Sequence, residues 1–276
     1  MILGRPHPPG TETANDKDAF LANFYRALQA DADAVAHYAE YPPSEPDLHA
    51  RHAWLVDQRT ELTARVEGDP EYYDPKIAGW WVWGLCLWIG GRWCSGNGPW
   101  VRVDGQLLHL SHAGRGVHRQ SQDLRAYLHQ VADRLRNVRM CCGDWSRVVS
   151  RSVTWRQGLT GVVLDPPYSH EERYSQLYRI EEDVGGAVRA WALANGGNPL
   201  LRIVLCGYDT EHSMPGTWRS VSWTGKGGLG NQRASNTNRT RETLWLSPHC
   251  LDLGAQQQLS MWVERDLRPR QTLVAL

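Results

Sequence analysis

The stretch GVVLDPPYSHEERY, residues 161–174, decides the fold class, because an apolar run ends there in an acid and two prolines. Proline fixes its own backbone and restrains the residue before it, so Asp165, Pro166 and Pro167 predict a rigid corner at a strand end. Tyr168 comes next and adds an aromatic ring. Such a corner is suited to hold a flat, polar ligand. A proline turn with a solvent-facing tyrosine is the alternative that local shape leaves open.

Around this corner, predicted strands and helices alternate along the chain. Alternation of this kind indicates a mostly parallel sheet, and open α/β sheets bind ligands at the carboxyl ends of their strands. Asp144, Asp165 and Tyr208 each lie at or just past such an end, so the corner is expected at the ligand-binding edge. The strands are predicted at 138–142, 160–164, 200–208 and finally 242–248, and the helices at 17–39, 47–66, 121–138, 145–155 and 171–196, with a hairpin at 101–110.

Composition is that of an ordinary globular protein. The 276 residues suffice for one large domain or for a core with an inserted subdomain, and the formal net charge is zero. Any nucleic-acid binding would therefore depend on local basic patches. The start lacks the apolar segment of a signal peptide, and the most hydrophobic run, 77–91, is too short to span a bilayer. These features predict a cytoplasmic protein with no membrane partner.

Cysteine and histidine patterns argue against a metal centre. The six cysteines show no metal-ligand spacing, which predicts reduced thiols and no zinc site. His109, His112 and His118 have no carboxylate or cysteine at ligand spacing, so they are expected to be surface residues.

The corner has the groups needed to hold an exocyclic amine of a nucleobase. Such an amine has two N–H donors, and the Asp165 carboxylate and the Pro166 carbonyl offer two acceptors. Holding both donors makes the nitrogen lone pair available for attack, and the Tyr168 ring can stack on the base for about 1–3 kcal/mol. A base reaches such a corner only by leaving the duplex, so base flipping is implied.

A strand followed by Asp-Pro-Pro-Tyr resembles the catalytic motif of the Dam-like DNA adenine methyltransferases, including their phage-type members. The segment NDKDAFLANFYRAL, residues 15–28, is similar to the family segment after the second strand, and CGDW, residues 142–145, is similar to the segment that binds the cofactor adenine. The segment RETLWLSP, residues 241–248, resembles the terminal strand. The resemblance extends from about residue 12 to residue 250.

The resemblance implies S-adenosylmethionine as cofactor and methylation of the adenine amino group in double-stranded DNA. It assigns Asp16 to the ribose hydroxyls, with Leu21, Asn23 and Tyr25 at the expected offsets. It assigns Asp144 to the adenine amine of the cofactor and Trp145 to its ring. Catalysis falls to Asp165, Pro166, Pro167 and Tyr168.

The family also implies a fold and a division of the chain. The expected fold is α/β, a Rossmann-like methyltransferase sheet with an inserted, mainly helical target-recognition region. Residues 1–40 would begin the methyltransferase core, 41–120 would form the insert, and 121–276 would complete the core with the Asp-Pro-Pro-Tyr motif.

Basic residues near the insert and in a later loop are candidates for DNA contact. For the basic residues near the insert, ordinary solvated surface is an equal alternative. For the later loop, a plain disordered connection is an equal alternative. Its run GKGGLG at 225–230 lacks the phosphate-loop pattern. The tryptophans at 80, 81, 83 and 88 are expected to be core rather than recognition residues. The candidate DNA-binding residues are Arg92, Arg115, Arg119, Lys226, Arg233 and Arg239.

One family feature is missing from the sequence. Family members begin with a Trp/Phe-x-Gly-Gly-Lys segment and a Phe-x-Gly loop that hold the methionine part of the cofactor, whereas GRPHPPG, residues 4–10, resembles the family segment just after that loop. No such loop is found after residue 250, which argues against a circular permutation. The chain could therefore be truncated, be one half of a split enzyme with a second polypeptide, or be a DNA-binding remnant. A cytosine amino-methyltransferase is a further alternative, although that group more often has serine before the prolines.

Overall fold

The computed structural model describes residues 10–88, 93–94, 100–103, 106–109, 123–167, 184–222, 241–251 and 272–275. These residues form a mixed α/β structure around a seven-stranded sheet. With strands numbered in chain order, the order across the sheet is β4 (Val138–Cys142), β1 (Thr11–Asp16), β9 (Thr272–Ala275), β5 (Thr160–Leu164), β6 (Leu201–Tyr208), β8 (Glu242–Leu246) and β7 (Arg219–Ser222). A separate hairpin pairs β2 (Trp100–Val103) with β3 (Gln106–His109), as predicted.

The first five strands of the sheet are parallel to one another. β8 runs antiparallel to both β6 and β7. In β5 and β6 buried and half-buried positions alternate almost throughout, as expected for strands with packing on both faces. Since parallel strands end at the same edge, the carboxyl ends of β4, β1, β9, β5 and β6 lie together.

Within the described residues six α-helices accompany the sheet, and five of them begin at an acid or a serine whose side chain accepts a backbone N–H of the first turn. The caps are Asp18, Asp31, Ser44, Asp74 and Asp123. The helices are α1 (Ala19–Ala30), α2 (Ala32–Ala39), α3 (Glu45–Gly68), α4 (Pro75–Leu85), α5 (Leu124–Leu135) and α6 (Gly185–Asn195).

The two faces of the sheet carry separate apolar clusters. Met140 and Cys141 are adjacent on β4 and point to opposite faces. Met140 packs against the cluster formed by α1, α2 and α5. Cys141 packs against the cluster of β5, β6, β8 and α6. A third cluster joins α1 to α3 and α4. Both faces of the sheet are therefore covered, so a ligand approaches the described part of the sheet from its edges.

Helices α3 and α4, which belong to the predicted insert at 41–120, pack against α1. The Asn23 side chain donates to the Asp74 carbonyl at 2.9 Å and accepts from the Asp74 N–H at 2.8 Å. Within the predicted insert, Trp83 and Trp88 are buried and Trp80 and Trp81 are half-buried. The assignment of this region to target recognition stays a prediction.

Three secondary-structure predictions need correction. The helix predicted over 17–39 is two helices, because Asp31 ends α1 and caps α2 by accepting from the Ala34 N–H at 2.8 Å. The helix predicted at 145–155 is wrong: a short 3₁₀ turn covers Trp145–Arg147, a second one begins only at Trp155, and the Thr154 hydroxyl donates to the Ser150 carbonyl at 2.8 Å. The strand β8 is not the last one, since β9 comes after it and lies in the centre of the sheet.

Candidate active site

The two predicted cofactor-binding acids, Asp16 and Asp144, lie side by side at the carboxyl edge of the sheet. Asp16 ends β1 opposite Cys142, the last residue of β4. The Gly143 N–H donates to the Asp16 carbonyl at 3.1 Å, and the Asn15 side chain donates to the Gly143 carbonyl at 3.0 Å. These bonds tie the two strand ends together, so Asp144 emerges next to Asp16.

Glycine is required at position 143 for this arrangement. Its φ angle is +136°, and a Cβ there would also meet the Arg147 guanidinium at 2.6 Å. The chain then turns so that Asp144 caps a short 3₁₀ turn, its Oδ1 accepting from the Ser146 N–H at 2.9 Å and from the Ser146 hydroxyl. These bonds lower the pKa of Asp144, and the charges of Lys17 and Arg147 lower it further. Asp144 is therefore an exposed, ionised acceptor.

Asp16 is held by the start of α1. Its Oδ1 accepts from the Asp18 N–H at 2.8 Å, and the residue is exposed. Behind it, burial raises the pKa of Tyr25, and the charge of Asp16 raises it further. The predicted pair of Asp16 and Tyr25 is thus brought together, with the carboxylate toward solvent and the phenol half-buried.

Trp145 is half-buried beside Asp144. Its ring packs against the cluster of β5, β6 and α6, and it meets Trp191 edge-on, with ring centroids 6.5 Å apart. The packing fixes the ring position, so the accessible part of the indole has a defined place near Asp144.

The proline corner comes directly after β5. Leu164, the last residue of β5, is fully buried, Asp165 is exposed, and Pro166 is buried again. The chain therefore leaves the sheet with Asp165 at the surface, Pro166 buried and Pro167 half-buried. This placement agrees with the rigid corner predicted from the sequence.

Partial burial and neighbouring negative charges both raise the pKa of the Asp165 carboxyl. They raise its pKa to about 6, first by desolvation and then through the negative charges of Glu242 and Glu211. Asp165 is exposed, yet neighbouring protein atoms partly desolvate its carboxyl. A shifted pKa with a defined cause is typical of functional sites, although structural charge clusters produce it too.

Sequence reasoning missed Glu211 and Glu242. Glu242 begins β8 opposite Tyr208, the last residue of β6, and Glu211 lies in the turn after β6. The Tyr208 N–H donates to Glu211 Oε2 at 3.1 Å. The one sequence signal was that an acid stands three residues after a predicted strand end.

Glu211 also lies close to the corner and to α6. A Cβ built on Gly185, the first residue of α6, would be 4.0 Å from Glu211 Oε1 and 4.0 Å from the Pro167 carbonyl oxygen. The Glu211 carboxylate thus stands between the end of β6, the start of α6 and the proline corner. A negative charge at a helix start is stabilised by the helix dipole.

A cation adjoins the same edge. Arg241 pairs with Asp209 at 2.9 Å, donates to the Thr210 hydroxyl at 2.7 Å, and lies 5.3 Å above the Tyr208 ring. On β6 itself, burial first and the charges of Asp165 and Glu242 second raise the pKa of the Cys206 thiol. Cys206 is therefore a neutral thiol.

The pairing register sets the spacing along the edge. Ala275 of β9 is level with Ala14 on β1 and with Val163 on β5. Asp16 and Asp165 each stand two residues beyond that level, on either side of β9. With strands about 4.8 Å apart, their backbones are about 10 Å apart, and Asp144 lies one strand further out. The order along the edge is Asp144, Asp16, the end of β9 and Asp165.

Several predicted site residues lie outside the described residues. They are Tyr168 of the catalytic motif and all the candidate DNA-binding residues, Arg92, Arg115, Arg119, Lys226, Arg233 and Arg239. Their assignments stay predictions.

The described ranges contain neither a candidate membrane span nor a cluster of metal ligands. No helix there is both long and apolar enough to cross a membrane. In the same part of the chain, no group of three or more histidines, cysteines or acids is arranged to hold a metal ion. Comparison of the sequence with protein-family models and with curated proteins gives no match.

Proposed function

We propose that this protein is an S-adenosylmethionine-dependent methyltransferase that acts on the exocyclic amino group of adenine in DNA. The observation that supports it best is the order of acids along the sheet edge. S-adenosylmethionine is built as adenine, ribose and sulfonium in sequence. Asp144, assigned to the adenine amine, is followed by Asp16, assigned to the ribose, and then by Asp165, assigned to the target amine.

The residues at this edge fit the cofactor chemically. Asp144 and Asp16 are exposed carboxylates, and such oxygens accept hydrogen bonds from an exocyclic amine and from ribose hydroxyls. The cofactor, when bound, supplies an electrophilic methyl group. In this proposal the sheet is Rossmann-like, since ligands of such sheets bind where the strand order reverses, outside the carboxyl ends.

Asp165 and the Pro166 carbonyl are proposed to hold the target amine. Two acceptors match its two N–H donors, and the amine loses one proton when it is methylated. The pKa of Asp165 is raised to about 6, so the carboxyl has a higher affinity for that proton than an ordinary aspartate and is still mostly ionised at neutral pH. Tyr168 would stack on the flipped base and the basic residues would contact phosphates, as the family resemblance implies.

The test combines binding with product analysis on the full chain. S-adenosylmethionine is titrated calorimetrically, and DNA incubated with protein and cofactor is digested and analysed for methylated nucleosides by mass spectrometry. We expect measurable cofactor binding and N6-methyladenine. Asp165→Ala should lower methyl transfer by about 100-fold or more, the scale of removing one preorganised hydrogen-bonding group, and leave cofactor affinity nearly unchanged.

The matched control is Asp133→Ala, which removes an exposed carboxyl from α5, outside the predicted insert and the candidate site, and it should transfer methyl groups like the parent. Lack of cofactor binding at millimolar concentration would refute the stand-alone enzyme, and activity restored by a second polypeptide would support a split one. N4-methylcytosine as the product would reassign the substrate to cytosine.

A further inference from the structure

The centre of the sheet is occupied by a strand from the far end of the sequence. β9 pairs in parallel with β1 on one side, from Thr11↔Thr272 to Ala14↔Ala275. It pairs in parallel with β5 on the other side, from Thr160↔Thr272 to Val163↔Ala275. Because each residue of β9 has partners on both sides, the strand is an integral part of the sheet and not an edge addition.

The order of the five parallel strands matches a doubly wound sheet except for the chain position of β9. In the order 3-2-1-4-5 the central strand comes first, and the chain then moves outward to one side and afterwards to the other. Here the chain moves outward through β1 and β4, then through β5 and β6, and the central strand comes later. The order is therefore a cyclic permutation, which the lack of a glycine segment after residue 250 had argued against.

The position of β9 relates it to the proposed reaction. In a doubly wound sheet the ligand crevice opens where the order reverses, between the central strand and its neighbour on the second side. In this sheet those strands are β9 and β5. The end of β9 thus lies between Asp16, assigned to the cofactor, and Asp165, assigned to the substrate.

We propose that β9 completes the cofactor site, so that cofactor binding and the docking of β9 into the sheet stabilise each other. This inference rests on the proposed function. Asp16 and Asp165 belong to strands that do not pair with one another, and β9 alone bridges them in the sheet order. A ligand that extends from Asp16 toward Asp165 requires the spacing that β9 provides. Linkage then requires that such a ligand favour the docked strand.

Hydrogen exchange of the full chain tests this coupling. Amide exchange is followed by mass spectrometry in peptides that cover Thr272–Ala275, with and without S-adenosylmethionine. If β9 undocks to exchange and the undocked form does not bind, cofactor at 100 times its dissociation constant should slow this exchange about 100-fold. Peptides from the edge strand β7 serve as the internal control and should change much less.

A proline variant tests the same coupling from the other side. Val274→Pro places a residue without an N–H in a strand paired on both sides, whereas Val221→Pro does so in β7 at the sheet edge. We expect the first variant to bind S-adenosylmethionine at least tenfold more weakly than the parent and the second to bind nearly as well, both judged folded by circular dichroism.

The outcomes separate this inference from the proposed function. If the parent binds cofactor but β9 exchange is unchanged and Val274→Pro binds like the parent, the role of β9 is refuted and the proposed function stands. If Val274→Pro does not fold, the exchange experiment on the parent decides alone. If the parent does not bind S-adenosylmethionine at millimolar concentration, the proposed function fails, and the coupling fails with it.

Discussion

At the scale of single residues, the Asp165 carboxyl carries the most information. Asp165 is exposed, and nevertheless the pKa of its carboxyl is raised to about 6, first by desolvation and then by the negative charges of Glu242 and Glu211. On β6, burial and the charge of Asp165 raise the pKa of the Cys206 thiol, which is therefore neutral. Ionised at neutral pH, Asp165 destabilises the folded state, because neighbouring carboxylates and partial burial both disfavour its charge.

Asp165→Asn should therefore stabilise the protein in a pH-dependent way. The folded pKa lies above the ordinary value of 3.8, so the native carboxyl contributes most to stability below pH 4 and loses this contribution as pH rises through 6. The asparagine amide carries no charge, so it does not destabilise the folded state in this way. We expect Asp165→Asn and the parent to have equal melting temperatures near pH 4. At pH 8 the variant should melt about 2–4 °C higher, which corresponds to a stabilisation of about 1 kcal/mol after screening by solvent.

Thermal melts from pH 4 to pH 8 measure this difference, with Asp57→Asn on α3 as the control. A melting-temperature difference that does not change with pH would show that the effect of the amide is steric and not electrostatic.

At the scale of elements, the contact between α2 and α4 depends on a glycine. Gly79 lies on the buried side of α4, and a Cβ there would be 2.4 Å from the Tyr38 Cβ and 2.6 Å from the Val35 carbonyl oxygen. Neither atom can move without the α2 backbone. Gly79 is thus the residue that lets α4 pack closely on α2.

Gly79→Ala should destabilise the protein although alanine is the better helix former. Overpacking of this kind costs about 1–3 kcal/mol. The gain in helix propensity is about 1 kcal/mol, so when the overpacking cost is near 3 kcal/mol the gain offsets only part of it. Urea denaturation should show a lower midpoint. Gly68→Ala on α3 is the control, because a Cβ at Gly68 meets nothing within 4 Å. Equal midpoints for the two variants would contradict the close packing of α2 on α4.

At the scale of the whole molecule, the proposed site is built from segments far apart in the chain. Asp16, Asp144 and Asp165 lie at the ends of three different strands, and β9 lies between two of them. A ligand that contacts several of these segments binds the folded chain and not the unfolded one, so it should stabilise the molecule as a unit.

S-adenosylmethionine should accordingly raise the melting temperature of the full chain. At 100 times the dissociation constant the stabilisation is about 2.7 kcal/mol, or about 5–10 °C for a protein of this size. Asp16→Asn keeps an oxygen that can accept from the Asp18 N–H but loses the carboxylate charge, so the increase should shrink. Differential scanning calorimetry measures both, and an undiminished increase in Asp16→Asn would remove Asp16 from the cofactor site.

Much of the local structure could be predicted from the sequence alone. The strands at 138–142 and 160–164 were predicted to the residue, the hairpin at 101–110 was predicted in outline, and the proline corner was predicted with Asp165 at its start. Asp144 was also placed at a strand end by the predicted strand before it, whereas Asp16 was placed after a strand only by the family resemblance. These features depend on neighbours in the chain, on side-chain alternation and on proline geometry, which a sequence displays directly.

The tertiary structure alone decided which segments meet. Placing β9 between β1 and β5 required backbone pairing between residues more than 100 positions apart, and no local pattern encodes such a partner choice. The acids that raise the pKa of Asp165 come from the turn after β6 and from β8, 46 and 77 residues further along the chain. Charge interactions depend on distance in space, so the corner could be recognised in the sequence but its proton affinity could not.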